Sequence, residues 1–204
     1  MDCGQACAMR ILLVGASGIL GQSVLKVLRE RSHEVVTASR KDSDVSVDIT
    51  DPESIRAMYE QVGRVDAVAS AAGSVPWLPF GELRHQDVLD GVVGKVISQV
   101  ELVRQGAAHV TGSFTLITGV LARDFLRTGT VASLANGAIE SFVRAAAIEL
   151  TQRVNAVSPT IFTESVDAYG DLFAGFEPVP VRQAANAYVR SIEGHQTGQV
   201  YEIG

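Results

Sequence analysis

The chain has 204 residues, 47% of them hydrophobic and 20% charged, which excludes a disordered polypeptide and suffices for one α/β domain. The net charge is −6 and no run of Lys or Arg exceeds two residues, which argues against nucleic acid as a main partner. No apolar run reaches the ~18 residues that span a bilayer, so we expect a cytoplasmic protein with no membrane partner.

Residues 1–8 precede the first apolar segment, and we predict that they form a disordered N-terminal extension. They contain the only cysteines, Cys3 and Cys7, which have no histidine nearby and make a poor zinc site. A disulfide framework is disfavoured as well, as suits a reducing cytoplasm. The histidines are scattered along the chain, and no metal site is predicted.

The first predicted strand contains the consecutive apolar residues Ile11 to Val14, which is typical of a strand covered on both faces. A glycine-rich turn follows, and a helix starts at Ser17 or Gly18 and continues to about Arg31. Such a turn lets backbone N–H groups approach a phosphate, towards which the helix directs its positive end. A tight turn with glycines for packing alone is the alternative. The predicted phosphate-binding residues are Gly15, Ser17, Gly18, Ile19, Leu20 and Gly21.

The second predicted strand, Glu34 to Ala38, ends in Ser39-Arg40-Lys41. The residue that closes this strand in a dinucleotide-binding fold lies beside the adenine ribose, where an acid binds a free 2′-hydroxyl and a basic residue binds a 2′-phosphate. Arg40 stands close to the expected ~20 residues past the glycine turn, which favours NADP(H) over NAD(H). A solvated turn is the alternative, since Asp42 and Asp44 follow.

The rest of the chain alternates between strand and helix patterns, and strands are expected at 45–49, 65–70, 114–118, 154–157 and 199–203. Helices are expected at 52–62, about 84–105, about 131–150 and 181–193, with an irregular segment at 160–180. This order predicts a Rossmann-type doubly wound parallel sheet, a three-layer α/β/α single domain at 9–204, with its ligand at the carboxyl ends of the strands.

Several stretches together resemble the short-chain dehydrogenase/reductase family, and the likeness covers nearly the whole chain from Met9. The matching segments are Gly15 to Gly21, Val47 to Asp51, Ser70 to Gly73, Gly137 to Phe142, Val154 to Pro159 and Gly198 to Tyr201. The resemblance implies an oxidoreductase that binds its cofactor through Asp48, Ile49, Ser70, Ala71, Ala72, Gly73, Pro159, Thr160, Ile161 and Thr163. The end of the second strand adds Ser39, Arg40 and Lys41 to the predicted cofactor-binding residues.

The catalytic positions that the resemblance implies carry other residues. Ala132 stands where the family has tyrosine, Asn136 where it has lysine, Gly119 where it has serine, and Lys95 where it has asparagine. Carbonyl reduction needs a proton donor, which Ala132 cannot be, and Asn136 carries no charge to shift a neighbour's pKa. Weak candidates to replace the missing groups are Lys95, Thr118 and Asn136, with Ser133 and Arg123 behind them; solvation or local hydrogen bonding is the ordinary role of each.

Two hypotheses follow. The first is an NADP(H)-dependent oxidoreductase that acts on an unknown small carbonyl or alcohol, and the second is a catalytically silent NADP(H)-binding regulatory or scaffold protein. A domain that has lost the cofactor and serves only in interactions is a third, weaker alternative. The apolar helices at 84–105 and 131–150 resemble the pair through which family members dimerise, so we expect a homodimer or homotetramer.

Overall fold

The computed structural model describes residues 8–204, and the cysteines and most of the predicted extension at 1–8 lie outside this range. One seven-stranded sheet, in which every strand pairs in parallel, has the order β3-β2-β1-β4-β5-β6-β7. The predicted parallel α/β sheet is therefore confirmed. The strands are β1 Arg10–Val14, β2 Glu34–Ser39, β3 Val45–Ser46, β4 Val65–Ser70, β5 Val110–Ile117, β6 Arg153–Pro159 and β7 Val200–Ile203.

Helices cover both faces of the sheet. They are α1 Ile19–Glu30, α2 Pro52–Val62, α3 His85–Gly91, α4 Ser98–Gly106, α5 Thr130–Glu149, α6 Val166–Tyr169 and α7 Val181–Glu193. Among residues 8–204, no helix is long and apolar enough to cross a membrane. The predicted irregular segment 160–180 contains only α6 and two short 3₁₀ turns, Thr163–Ser165 and Gly170–Phe173.

Alternate residues of β1 point into two separate cores, which explains its unbroken apolar run. Leu12 lies in the cluster that contains residues of α2, α4 and α5, whereas Leu13 lies in the cluster formed with α1 and α7. From Ile11 to Val14, every side chain of β1 is buried against one helix layer or the other, as is typical of parallel sheets. The predicted three-layer arrangement is present in the residues described.

Three predicted elements differ in detail from the structure. The predicted helix at 84–105 is interrupted between α3 and α4 by a π-helical segment, Val92–Ile97. The strand predicted at 45–49 ends at Ser46, since Asp48 accepts hydrogen bonds from the backbone N–H and hydroxyl of Thr50 and turns the chain. β5 begins at Val110, four residues before the prediction, and its pairing with β4 shifts register between Val110 and Ser113.

The strand order reverses direction at β1, which pairs with β2 on one side and with β4 on the other. The crossover connections leave the sheet on opposite faces at this point, so a crevice opens above the carboxyl ends of β1 and β4. The glycine turn after β1 and the Ser70–Gly73 segment after β4 meet there, since the Ala71 N–H donates to the Val14 carbonyl at 2.8 Å.

Candidate functional site

The glycine turn between β1 and α1 is crowded by backbone atoms. Gly15 has φ +86°, and a Cβ placed on it would lie 2.8 Å from the Ala72 Cβ. A Cβ on Gly21 would lie 2.1 Å from the Gly15 carbonyl oxygen, so α1 approaches the turn at a distance that only glycine permits. Gly18 caps α1 without a side-chain hydrogen bond, which leaves the first N–H groups of α1 available to an anion.

A cavity of about 700 Å³ lies above this turn. Three predicted groups of cofactor residues meet around it: the turn itself, the end of β2, and the segment after β4. The predicted site residues that line it are Gly15, Ser17, Gly18, Ser39, Arg40, Lys41, Asp48, Ile49, Ala71, Ala72 and Gly73. The other predicted residues of this group do not line the cavity: Leu20 and Gly21 are buried in the first turn of α1, Ile19 is exposed there, and Ser70 is fully buried in β4.

The basic end of this cavity is formed by Arg40 and Lys41. Neither forms an ion pair within residues 8–204, and Asp44, one of the two acids that follow them, is engaged elsewhere. The Asp44 carboxylate accepts hydrogen bonds from the Thr37 N–H and hydroxyl, at 2.9 and 2.7 Å. Positive charge therefore faces the cavity where β2 ends.

Asp48 also lines this end of the cavity, and its carboxylate is held by its neighbour. The two hydrogen bonds from Thr50 lower the pKa of Asp48, and the charge of Arg40 acts in the same direction to a smaller extent. Asp48 is consequently anionic over the neutral range, and its oxygens are oriented towards Thr50.

A second cavity, of about 400 Å³, adjoins the first and shares Gly73 and Ser74 with it. Its walls combine residues from widely separated parts of the chain. Its apolar and aromatic residues are Val75, Trp77, Val120, Leu121, Ala132, Pro159, Tyr169 and Phe173. Its polar residues are Ser74, Lys95, Thr118, Asn136 and Thr160. The Trp77 and Phe173 rings lie 6.4 Å apart, so the loop after β4 meets the loop after β6 across this space.

The catalytic positions implied by the resemblance lie around this second cavity. Ala132 and Asn136 follow each other by one turn of α5, and Gly119 faces them. A Cβ on Gly119 would lie 3.1 Å from the Asn136 amide nitrogen. The structure thus brings these three positions together with Lys95, and none of the four carries a hydroxyl group.

Three of the weaker candidates are directed elsewhere. The Thr118 hydroxyl donates to the Asn136 carbonyl at 3.1 Å and lies 3.4 Å from a Glu140 carboxylate oxygen, inside the protein. Arg123 donates to Glu140 and to the Ser158 hydroxyl, both at 2.6 Å. Ser133 and Arg123 are not among the residues that line the second cavity.

Lys95 is directed into the second cavity from the π-helical segment. Its Nζ lies 3.5 Å from the Thr118 carbonyl oxygen, and it forms no ion pair with any residue that the structure describes. Burial of the ammonium lowers the pKa of Lys95 to about 8. The π-helical turn supports this placement, since the Gly94 carbonyl accepts a hydrogen bond from the Ser74 N–H at 3.1 Å and ties the helix to the cavity wall.

Two of the four buried polar atoms without partners among the described residues belong to residues that line the second cavity. The Ser70 hydroxyl, the Asn136 carbonyl oxygen and the Thr160 hydroxyl are enclosed, yet none has a hydrogen-bond partner within the described part of the chain. Such groups are costly unless a ligand or water satisfies them. Asn136 and Thr160 line the second cavity. A bound molecule with hydroxyl or amide groups would satisfy them.

The remaining predicted residues after β6 divide between two places. Pro159 and Thr160 line the second cavity, whereas Ile161 lines a separate space within the 161–178 loop. Thr163 is exposed, and its N–H donates to the Val179 carbonyl. Sequence reasoning did not identify the aromatic wall of Trp77 and Tyr169. Their signal was the placement of aromatic residues in otherwise irregular loops.

Comparisons with known proteins agree with this geometry. A family model described as enoyl-(acyl carrier protein) reductase matches residues 3–190. The L-xylulose reductase of Bos taurus is 28% identical over 173 residues, which cover 74% of this chain and 71% of that protein.

Solved structures extend the agreement to the fold. The protein lin1944 from Listeria innocua has a TM-score of 0.94 and 44% identity, over 97% of this chain and 100% of that one. A small-chain dehydrogenase in complex with NADPH has a TM-score of 0.82 and 23% identity, over 96% of each chain. The match of the family model over most of the sequence shows that the chain belongs to the short-chain dehydrogenase/reductase family.

Proposed function

We propose that the protein is an NADP(H)-dependent oxidoreductase that interconverts a small carbonyl compound and its alcohol. The observation that carries the proposal is the large cavity, in which a glycine turn at a helix N-terminus stands opposite the basic pair Arg40 and Lys41. The similar structure solved with NADPH and the similar L-xylulose reductase support the same class of cofactor and reaction.

The residues of the two cavities suit this cofactor chemically. The N–H groups at the start of α1 suit a pyrophosphate, and the guanidinium of Arg40 suits a 2′-phosphate. The unsatisfied Asn136 carbonyl oxygen and Thr160 hydroxyl suit hydroxyl and amide donors of a nicotinamide riboside. When bound, the cofactor supplies or accepts a hydride. The aromatic wall of the second cavity then surrounds the substrate and keeps water away from it.

The cofactor preference is tested by substitution of Arg40. An Arg40→Ser variant loses a charge-assisted pair with the 2′-phosphate, so we expect its affinity for NADPH to fall by roughly 10- to 100-fold, with little change for NADH. Isothermal titration calorimetry with both cofactors measures this difference. Lys26→Ser is the control, since Lys26 is exposed on α1 and does not line the cavity. Equal losses for NADPH and NADH in Arg40→Ser would contradict the assignment.

A catalytically silent NADP(H)-binding protein is the second candidate. Ala132, Asn136 and Gly119 favour it, since they leave the positions of the usual tyrosine, lysine and serine without a hydroxyl or an ammonium group. NADPH consumption over a broad panel of carbonyl compounds separates the two candidates. Turnover above background supports the oxidoreductase, and tight NADPH binding without turnover supports the silent protein.

A further inference from the structure

We propose that Lys95 is the proton donor of the reaction and acts on the substrate oxygen in the second cavity. This inference rests on the proposed oxidoreductase function and names the acid that the positions of Ala132, Asn136 and Gly119 lack. It assigns to Lys95 a contact with the substrate itself.

The first observation is the position of the ammonium group. Lys95 and Asn136 both reach the carboxyl end of β5, where the Lys95 Nζ lies 3.5 Å from the Thr118 carbonyl and the Asn136 amide adjoins Gly119. The resemblance places an asparagine at position 95 and a lysine at position 136, so the two residue types have exchanged places around one cavity. The cation is retained at the site, but it comes from the helical segment that packs against α5 instead of from α5 itself.

The second observation is that the ammonium group has no other task. Its single hydrogen bond, to the Thr118 carbonyl, is long, which leaves two N–H groups for a ligand. The aliphatic stem packs near Gly73, where a Cβ would lie 3.0 Å from the Lys95 Cγ, so the side chain is directed along the wall between the two cavities. A structural lysine in such a position normally pairs with a carboxylate.

The third observation is the absence of other charges around this group in the part of the chain that the structure describes. Among the described residues that line the cavity, none other than Lys95 has an acidic or basic side chain. Most of these residues come from the Gly73–Trp77 loop, the Thr118–Leu121 turn, α5, and the segment with Pro159 and Thr160. Within its own helical segment, the Gln99 amide binds the Lys95 carbonyl. Tyr169, from α6, is the only other titratable residue that lines the cavity.

Burial is accordingly the sole cause that lowers the pKa of Lys95 to about 8. An acid with a pKa in this range is largely protonated at pH 7 and still releases its proton readily to a developing alkoxide. Tyr169 is 53% exposed on the short helix α6, and its hydroxyl makes no hydrogen bond with another described residue.

The proton balance of the step is simple. In the reductive direction the carbonyl carbon gains a hydride, with NADPH as the reductant, and the C–O π bond breaks. The oxygen takes its proton from the Lys95 ammonium, which becomes a neutral amine. Once the alcohol product has left, water enters the open cavity and a solvent proton returns to this amine. In the oxidative direction the neutral amine accepts the proton of the alcohol.

The first test does not depend on activity. The chain contains three lysines, Lys26, Lys41 and Lys95, so acylation by acetic anhydride at a series of pH values can be measured for each by mass spectrometry. We expect half-maximal reactivity of Lys95 near pH 8, with the exposed Lys26 as the internal reference. Reactivity of Lys95 that rises only together with Lys26, or no reaction of Lys95 at any pH, overturns the proposal.

The second test measures NADPH oxidation with benzaldehyde and 4-nitrobenzaldehyde, flat aldehydes that match the aromatic wall. Lys95→Met should lower kcat by at least about 100-fold with unchanged NADPH affinity, and should remove the fall in kcat/KM as the pH rises past 8. In Lys95→Arg, the fall in kcat/KM should move above the pH range in which the assay works, because a guanidinium stays protonated throughout that range. Lys26→Met is the matched control and should behave as wild type.

The outcomes separate this inference from the proposed function. Failure of the wild type to bind NADPH overturns the proposed function itself. NADPH binding without turnover of any carbonyl compound favours the silent protein and overturns the oxidoreductase function as well. Turnover by the wild type, together with wild-type kcat and pH profile in Lys95→Met, overturns the role of Lys95 alone. If Tyr169→Phe, rather than Lys95→Met, abolishes the pH-dependent fall, the donor is the tyrosine and the proposal is wrong.

Discussion

At the scale of single residues, the second cavity depends on side chains whose roles their positions in the sequence do not reveal. The position of Lys95 in a long helix was recognisable, and an ordinary solvated lysine was the expectation. Its enclosure results from the meeting of three distant stretches, the loop with Trp77, the end of β5 and the loop with Tyr169. No local pattern encodes such a meeting. The position of Arg40 beside the large cavity was easier to predict, because it follows from the end of a strand.

Burial of a positive charge at position 95 has a cost in stability that can be measured. The folded-state pKa of Lys95 is about 8, below the value for an unfolded lysine, so folding favours the neutral form. The cost is present in full below pH 8 and disappears as the pH rises towards ~10.5. We expect Lys95→Met to be more stable than wild type at pH 7 by about 1–3 kcal/mol, and the gain to shrink by pH 10.

Chemical denaturation of both proteins at pH 7 and pH 10 measures this difference. Lys26→Met is the control, and we expect it to show no comparable pH-dependent gain, since Lys26 lies exposed on α1. An equal difference at both pH values would mean that lost or gained packing, rather than charge, determines the effect of the substitution.

At the scale of elements, the glycine turn and its helix were the most predictable part of the site. Their residues are contiguous in sequence, and the glycines stand where the backbone of the turn and of α1 comes too close to neighbouring atoms for a side chain to fit. The π-helical segment between α3 and α4 was not predictable, because an inserted residue leaves apolar steps of three and four that also suit a regular α-helix. Its hydrogen bond to Ser74 connects residues that only the fold brings together.

The geometry of the glycine turn predicts that alanine substitution at Gly21 and at Gly18 affects stability differently. Gly21→Ala forces a methyl group against the Gly15 carbonyl oxygen, 2.1 Å away, and we expect a loss of about 1–3 kcal/mol in the free energy of unfolding. Gly18→Ala meets nothing closer than 3.8 Å, so the apoprotein should keep most of its stability. Thermal unfolding of the two variants, with circular dichroism to verify the fold, measures the contrast. Similar melting temperatures for both would contradict the close approach.

At the scale of the whole molecule, the alternation of apolar strands and amphipathic helices was sufficient to predict the parallel sheet. The same alternation predicts a ligand above the carboxyl ends of the strands, and both cavities lie at that edge of the sheet. The sequence did not define how the loops after β4, β5 and β6 close over the second cavity, since those loops carry few periodic signals. This is the region in which members of one fold acquire different substrates.

The prediction of a homo-oligomer rests on the outer faces of two helical segments, those at 84–105 and 131–150. The exposed apolar residues there are Leu89, Val93, Ile97, Leu134 and Ile148. We propose that a second copy of the chain covers them, since large apolar side chains grouped on one surface favour association. Light scattering at micromolar concentration should give at least a dimer, and a wild-type monomer would contradict the proposal.

Substitution locates the interface within this surface. A double variant Ile97→Glu, Leu134→Glu places charge on both helical segments, and we expect it to dissociate while it keeps the circular dichroism spectrum of a folded domain. Phe80→Glu is the matched control. Phe80 is 77% exposed but lies outside both helical segments, so its substitution should leave the assembly intact.

The wall that the two cavities share predicts the order in which the two ligands bind. Gly73 and Ser74 line both spaces, so a molecule in the large cavity forms part of the floor on which the occupant of the smaller one rests. We therefore expect compulsory-order kinetics, with NADPH binding first and NADP⁺ leaving last. Product inhibition measures this: NADP⁺ should compete with NADPH alone, and the alcohol product should compete with neither ligand. Because this short segment after β4 borders both cavities, we expect the bound cofactor to form part of the site that receives the substrate.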